Sequence, residues 1–139
     1  MATILDAGEA VKIYTKSGDT GETRLFDGEK VRKNHDRVET YGVVDELGAF
    51  VGAAAAFIEN AEIRMELEQI QKDLFSVGAQ LADPRYRPTP GAKFELTVQQ
   101  VEALERAIDK YETDLPPLRQ FILAGGGRAG SLLHVARTV

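Results

Sequence analysis

Apolar residues recur at intervals of three and four along three separate stretches, and this spacing constrains the fold more than any other feature of the chain. Val44, Leu47, Val51, Ala54 and Ile58 fall on one face of a helix that opens near Asp36. Ile63, Leu67, Ile70, Leu74, Val77 and Leu81 do the same along a second helix, and Val101, Leu104, Ile108, Tyr111 and Leu115 along a third. The punctuation agrees. Asp36 reads as an N-cap with Glu39 as its capping-box partner, Asn60 breaks between the first two helices, and Asp83-Pro84 stops the second. Thr97 and Gln100 form a second capping box, and Pro116-Pro117 ends the third helix. Each helix must bury its stripe against another element, so the expected fold is all-α, an antiparallel helix bundle.

The two ends read differently. Residues 1–36 form an irregular N-terminal arm: Val11 to Thr15 alternate like a short strand, and Ser17-Gly18-Asp19-Thr20-Gly21 is a turn-rich loop. Asp27-Gly28 marks another turn, and the cations Lys30, Arg32, Lys33 and Arg37 follow. Residues 37–139 form the helical body, and the whole of 1–139 is read as a single domain. Residues 83–96 are its longest irregular stretch. After Gly125-Gly126-Gly127, the segment Ala129 to Val139 reads as the first turns of a fourth helix with no C-cap, glycine or proline to end it. The expectation is a bundle incomplete at its C-terminus.

Composition removes several function classes. There are no cysteines, which excludes disulfides, thiolate catalysis and cysteine-ligated metals. Two histidines leave little for a histidine-rich metal site, and none is expected. With 17 Lys+Arg against 22 Asp+Glu, the net charge of −5 argues against sequence-independent nucleic-acid binding. The most apolar run, Gly48 to Ile58, is shorter than the ~20 residues a spanning helix needs. Met1 to Val11 lacks the basic region of a secretory signal, so a cytoplasmic protein without membrane contact is expected.

Four places offer chemistry. Glycines in the stretch Tyr14 to Thr23 let the backbone approach an anion, Lys16 adds a point charge, and Thr15, Ser17 and Thr23 add hydroxyl donors. The order is not that of a Walker A loop, and a plain surface turn has the same composition. The cluster Lys30, Arg32, Lys33 and Arg37 suits a polyphosphate, or a solvated charge run. Asp45 sits beside the apolar stripe of the first helix, where a carboxylate calls for a partner, and Arg137 on the fourth helix is a candidate; both residues could equally be exposed. Phe121-Ile122-Leu123-Ala124-Gly125-Gly126 puts an apolar strip before a glycine turn, as a pocket lining or as ordinary core and loop.

Taken together and in order, these stretches resemble the trimeric, PduO-type ATP:cob(I)alamin adenosyltransferases. The likeness rests on Lys12 to Thr23 (Y-T-K-x-G-D-x-G-x-T), Arg37 to Leu47, Glu68 to Phe75, Leu81-Ala82, Leu115 to Leu118, Phe121 to Leu123, Gly125-Gly126 and Leu133 to Thr138 (H-x-A-R-T). The resemblance implies a five-helix bundle assembled as a homotrimer with active sites between subunits. It also implies transfer of the 5′-deoxyadenosyl group of ATP to a corrinoid reduced to Co(I), with triphosphate leaving and Mg2+ accompanying ATP. On that likeness Thr15, Lys16, Ser17 and Gly18 wrap the triphosphate, joined by Thr23, Arg24 and Lys33. Phe121 presses on the lower face of the corrin of cobalamin, and Asp45 and Arg137 form an inter-subunit ion pair. A corrinoid reductase is an expected partner.

The family pattern continues past H-x-A-R-T into an R-R-x-E-R stretch and a fifth helix that supply further ATP and corrin contacts. This sequence stops at Val139, which is read as an ending short of the natural one. Ala124 stands where many members have proline. A competing reading keeps the nucleotide loop and Phe121 in a non-catalytic carrier or sensor of ATP or adenosylcobalamin. A purely structural bundle fits the heptads but not the ordered polar loop.

Overall fold

A computed structural model describes residues 14–92 and 95–139. The chain order is β1 (Glu22–Arg24), β2 (Lys30–Arg32), α1 (Asp36–Ala55), α2 (Ala61–Ala82), α3 (Val98–Glu112) and α4 (Gly127–Ala136). The all-α class holds, with a small two-stranded hairpin added in the arm.

Helices α1 and α2 form the frame. The α2 cap is Asn60, whose Oδ1 accepts from the backbone N–H of Glu62 at 2.9 Å and of Ile63 at 3.2 Å. Gln71 Nε2 donates to the Gly48 carbonyl at 2.9 Å, and Arg37 Nη1 to the Leu81 carbonyl at 2.6 Å. These partners run in opposite sequence order, so the two helices lie antiparallel. The stripes meet as their spacing requires: Val51, Ala55, Leu67 and Ala136 are buried together, with Leu47, Ile63, Ile70, Leu74 and Leu133 packed around them. Helix α4 thus enters the core against α1.

Three expectations change. The N-cap of α1 is His35 and not Asp36: His35 has extended backbone, and its Nδ1 accepts from the Arg37 N–H at 3.1 Å. The Glu39 N–H is satisfied by the His35 carbonyl at 3.0 Å, which leaves Asp36 in the first turn, where its charge suits the helix dipole. Second, the fourth helix begins at Gly127, two residues earlier than expected, and Arg137 is its C-cap. Third, α3 carries its stripe but buries none of it: Val101 is 54% and Ile108 58% exposed. Its capping box is present, with the Thr97 N–H donating to Gln100 Oε1 at 2.9 Å. Polar groups tie it to α2, namely Tyr111 Oη to Glu66 Oε2 at 2.6 Å and Lys110 to Glu62.

The arm is a hairpin of three-residue strands in the register Glu22↔Arg32, Thr23↔Val31 and Arg24↔Lys30. Leu25 and Val31 are buried, Lys30 pairs with Glu22, and Glu29 N–H bonds to Asp27 Oδ1 at 3.0 Å in the turn. The expected strand at Val11 to Thr15 lies mostly outside the described residues; Tyr14 and Thr15 are irregular. The hairpin is fastened to the end of α2 by the Phe26 N–H on the Ala82 carbonyl at 3.0 Å and by Arg85 Nε on Asp27 at 3.3 Å. No described helix is long and apolar enough to cross a membrane.

Candidate functional site

The loop Thr15 to Gly21 is shaped by its backbone. Lys16 has φ 58°, a left-handed conformation rare for a residue with a side chain, and Gly21 follows at φ 83°. Turns close through Asp19 N–H to the Lys16 carbonyl at 3.3 Å and Gly21 N–H to the Gly18 carbonyl at 3.1 Å. Among the described residues the N–H groups of Gly18 and Thr20 find no partner. Thr15 Oγ1 and Ser17 Oγ lie 2.7 Å apart, which gathers two hydroxyls at the mouth of the loop. A loop that leaves two N–H groups free beside hydroxyls can offer them to an anion.

Lys33 comes to this loop from the far end of the hairpin. Its backbone N–H donates to the Gly21 carbonyl at 2.9 Å. A methyl group at Gly18 would meet the Glu22 carbonyl oxygen at 3.2 Å and the Lys33 Cε and Nζ at 3.3 and 3.4 Å. Gly18 therefore admits the lysine amine against the backbone. The structure brings together Thr15, Lys16, Ser17, Gly18 and Lys33. It separates Thr23 from Arg24, since strand alternation points them to opposite faces, and Arg24 Nη1 is engaged with the Gly28 carbonyl at 2.8 Å.

A groove of about 930 Å³ runs along α1 and α2. Tyr41, Asp45, Glu68, Gln71, Lys72 and Phe75 line it, over a floor opened by small residues such as Gly48 and Gly78. It reaches Ala82, whose carbonyl holds the arm. Asp45 is exposed in this groove and Arg137 is exposed at the end of α4; within the chain they make no ion pair with each other. Phe121 lies on the segment between α3 and α4 with its ring fully exposed, and Leu123 beside it is 95% exposed. Gly126, at φ 99°, turns this segment into α4.

Sequence reasoning missed the roles of three residues, one of which, Arg37, it names only as a phosphate-binding or solvated cation. His35 escaped notice because histidine is not among the favoured caps and Asp36 is the stronger candidate by type. Gln71, which joins the helices across the groove, and Arg37, which anchors α1 to the end of α2, have no local signature; their partners lie 23 and 44 residues away.

The cobalamin adenosyltransferase family model matches residues 13–139. The corrinoid adenosyltransferase PduO of Citrobacter freundii is 44% identical over 127 residues, which is 91% of this chain and 38% of that protein. The corrinoid adenosyltransferase of Bacillus subtilis (strain 168) is 41% identical over 133 residues, 93% of this chain and 66% of that protein. The chain thus spans well under half of the PduO relative and about two thirds of the Bacillus one. Among solved structures, a variant PduO-type ATP:corrinoid adenosyltransferase from Lactobacillus reuteri, complexed with cobalamin and ATP, superposes with a TM-score of 0.79. It is 40% identical, and the match covers 91% of this chain and 71% of that one.

Proposed function

We infer that this chain, which belongs to the cobalamin adenosyltransferase family, transfers the 5′-deoxyadenosyl group of ATP to the Co(I) of a corrinoid, giving adenosylcobalamin and triphosphate. The observation that carries this reading is the nucleotide loop: a left-handed Lys16, free N–H groups, paired hydroxyls of Thr15 and Ser17, and the Lys33 amine against Gly18.

The reaction asks little of a protein nucleophile. Co(I) is itself a strong one, so the corrinoid substrate carries the difficult chemistry. Cobalt donates an electron pair to C5′, the cobalt–carbon bond forms as the C5′–O bond breaks, and the electrons leave on triphosphate. Cobalt ends formally as Co(III). The chain must hold C5′ in line with cobalt and stabilise the charge that grows on the leaving oxygen. Lys16, Lys33 and the loop N–H groups serve the second need. Thr23 joins them from the hairpin, and Arg24, on the opposite face, joins only by leaving the Gly28 carbonyl.

Phe121 serves the corrin side. An exposed aromatic ring fills the space beneath a flat macrocycle and offers cobalt no lone pair, so the lower axial ligand is displaced without replacement. Among the described residues no three His, Asp or Glu side chains converge on a common point. In this proposal Mg2+ accompanies ATP and is held by its phosphates, as is common for that ion. The catalytic assembly is a homotrimer. The groove with Asp45 accepts a second copy, Asp45 pairs with Arg137 across the interface, and both act by geometry. A cytoplasmic setting and a corrinoid reductase as supplier of Co(I) complete the reading.

The test is an anaerobic assay in dim light with ATP, magnesium and chemically reduced cob(I)alamin. Loss of the Co(I) band, a photolabile product and equimolar triphosphate are the expected results. ATP binding without turnover would turn the reading into a carrier or sensor.

A further inference from the structure

We infer that His35 is a positioning residue for the triphosphate loop, an inference that rests on the adenosyl-transfer reading. Hydrogen bonds, joined through the peptide between Arg32 and Lys33, run from the first turn of α1 to Gly18. The His35 carbonyl accepts from Glu39 N–H at 3.0 Å, its Nδ1 accepts from Arg37 N–H at 3.1 Å, and its own N–H donates to the Arg32 carbonyl at 3.0 Å. This last bond closes the turn that contains Lys33, whose N–H reaches the Gly21 carbonyl at 2.9 Å; Gly21 N–H in turn reaches Gly18 at 3.1 Å. Among the described residues, His35 is therefore the one bonded both to the α1 backbone and to the turn that carries Lys33 to the loop.

The frame on its other side is tied down. Arg37 Nη1 fixes the start of α1 to the end of α2 through the Leu81 carbonyl at 2.6 Å. If the imidazole is removed, the Arg37 N–H loses its partner and the first turn of α1 frays. The slack passes to the lighter element, the hairpin, and the Lys33 amine loses its station over Gly18. Corrin contacts at Phe121 lie on a different segment and are not reached by this chain of bonds.

Three variants of the full chain test this against wild type: His35→Ala, His35→Asn and Asn60→Ala. Asn places an acceptor where Nδ1 stands, and Asn60 caps α2 far from the loop. The readouts are KM for ATP, KM for cob(I)alamin, and the calorimetric Kd for sodium triphosphate. His35→Ala is expected to raise KM for ATP and Kd for triphosphate about fivefold, the worth of one cap, with KM for the corrinoid within about twofold of wild type. His35→Asn is expected to restore both, and Asn60→Ala, equally short of one cap, to leave both unmoved. An unchanged triphosphate affinity in His35→Ala, or an equal loss in Asn60→Ala, would overturn the inference. Loss of triphosphate affinity in His35→Asn would overturn it even if His35→Ala does not fold. Absence of turnover in wild type would instead sink adenosyl transfer, while the triphosphate affinities still decide the role of His35.

Discussion

Lys16 combines a left-handed backbone with an ammonium that lies 5.8 Å from the centre of the Tyr14 ring, and the two properties pull on stability and function in different directions. A φ of 58° disfavours a residue with a Cβ by ~1–2 kcal/mol. Glycine would relieve that strain but gives back ~0.4–1 kcal/mol through a freer unfolded chain. Lys16→Gly is therefore expected to stabilise the fold by no more than ~1.6 kcal/mol, measured by urea titration. Its ammonium, however, is a charge-assisted donor worth ~1.5–3 kcal/mol to a phosphate. The same variant should raise KM for ATP at least about tenfold with the corrinoid KM unmoved. If the ATP dependence stays as in wild type, Lys16 does not touch the nucleotide, and its strained backbone needs another explanation.

At the scale of elements, α2 was legible because periodicity and punctuation say the same thing, Asn60 capping and Asp83-Pro84 stopping a stripe that packs on the core through Ile63, Leu67, Ile70 and Leu74, and α1 was legible by its stripe though not by its cap. The hairpin was not legible. Each strand has three residues, and β2 has a single apolar one, Val31, between Lys30 and Arg32, so alternation is too short to read. Helix α3 shows a third case, in which the stripe was read correctly but its burial does not follow. Its tie to α2 is polar. The Tyr111 pKa is raised above 10.0, first by the hydrogen bond to Glu66, and the Lys110 pKa above 10.5, first by the hydrogen bond to Glu62. Both shifts favour the protonated forms in the folded chain. Their contribution is full below the ordinary values and is lost as pH rises through the raised ones, so α3 should loosen only in strongly alkaline solution. The chain has four tyrosines. Isolated at 295 nm as the difference between wild type and Tyr111→Phe, the Tyr111 ionisation is expected above 10.0, and Glu66→Ala should lower it. A Tyr111 ionisation that Glu66→Ala leaves unmoved would show that the Tyr111–Glu66 bond does not hold α3 in solution.

The whole molecule rests on a small core. Val51, Ala55, Leu67 and Ala136 bury their side chains where α1, α2 and α4 meet, and Leu67 is the largest of the four. Of the candidate site, the loop was legible in the sequence because glycines and hydroxyls mark it locally. Lys33 was legible as a cation and not as the neighbour of Gly18, since that approach depends on a hairpin register. Large apolar side chains remain bare elsewhere, including Val101, Ile108, Phe121 and Leu123. Stability and exposure therefore divide the apolar residues into two sets that sequence pattern treats alike: Leu67 and Ile108 both sit on a helical stripe, yet one is 8% and the other 58% exposed. Leu67→Ala removes buried methyl groups and leaves a cavity, for a cost of ~2–4 kcal/mol. Ile108→Ala loses about half as much contact and gains helix propensity, for a cost below about 1 kcal/mol. Guanidinium titrations at low protein concentration are expected to show this contrast, with a lower midpoint for Leu67→Ala and little change for Ile108→Ala. An equal loss for both variants would mean that the α3 stripe is covered in solution, and a loss that grows with protein concentration would assign that cover to a second copy of the chain.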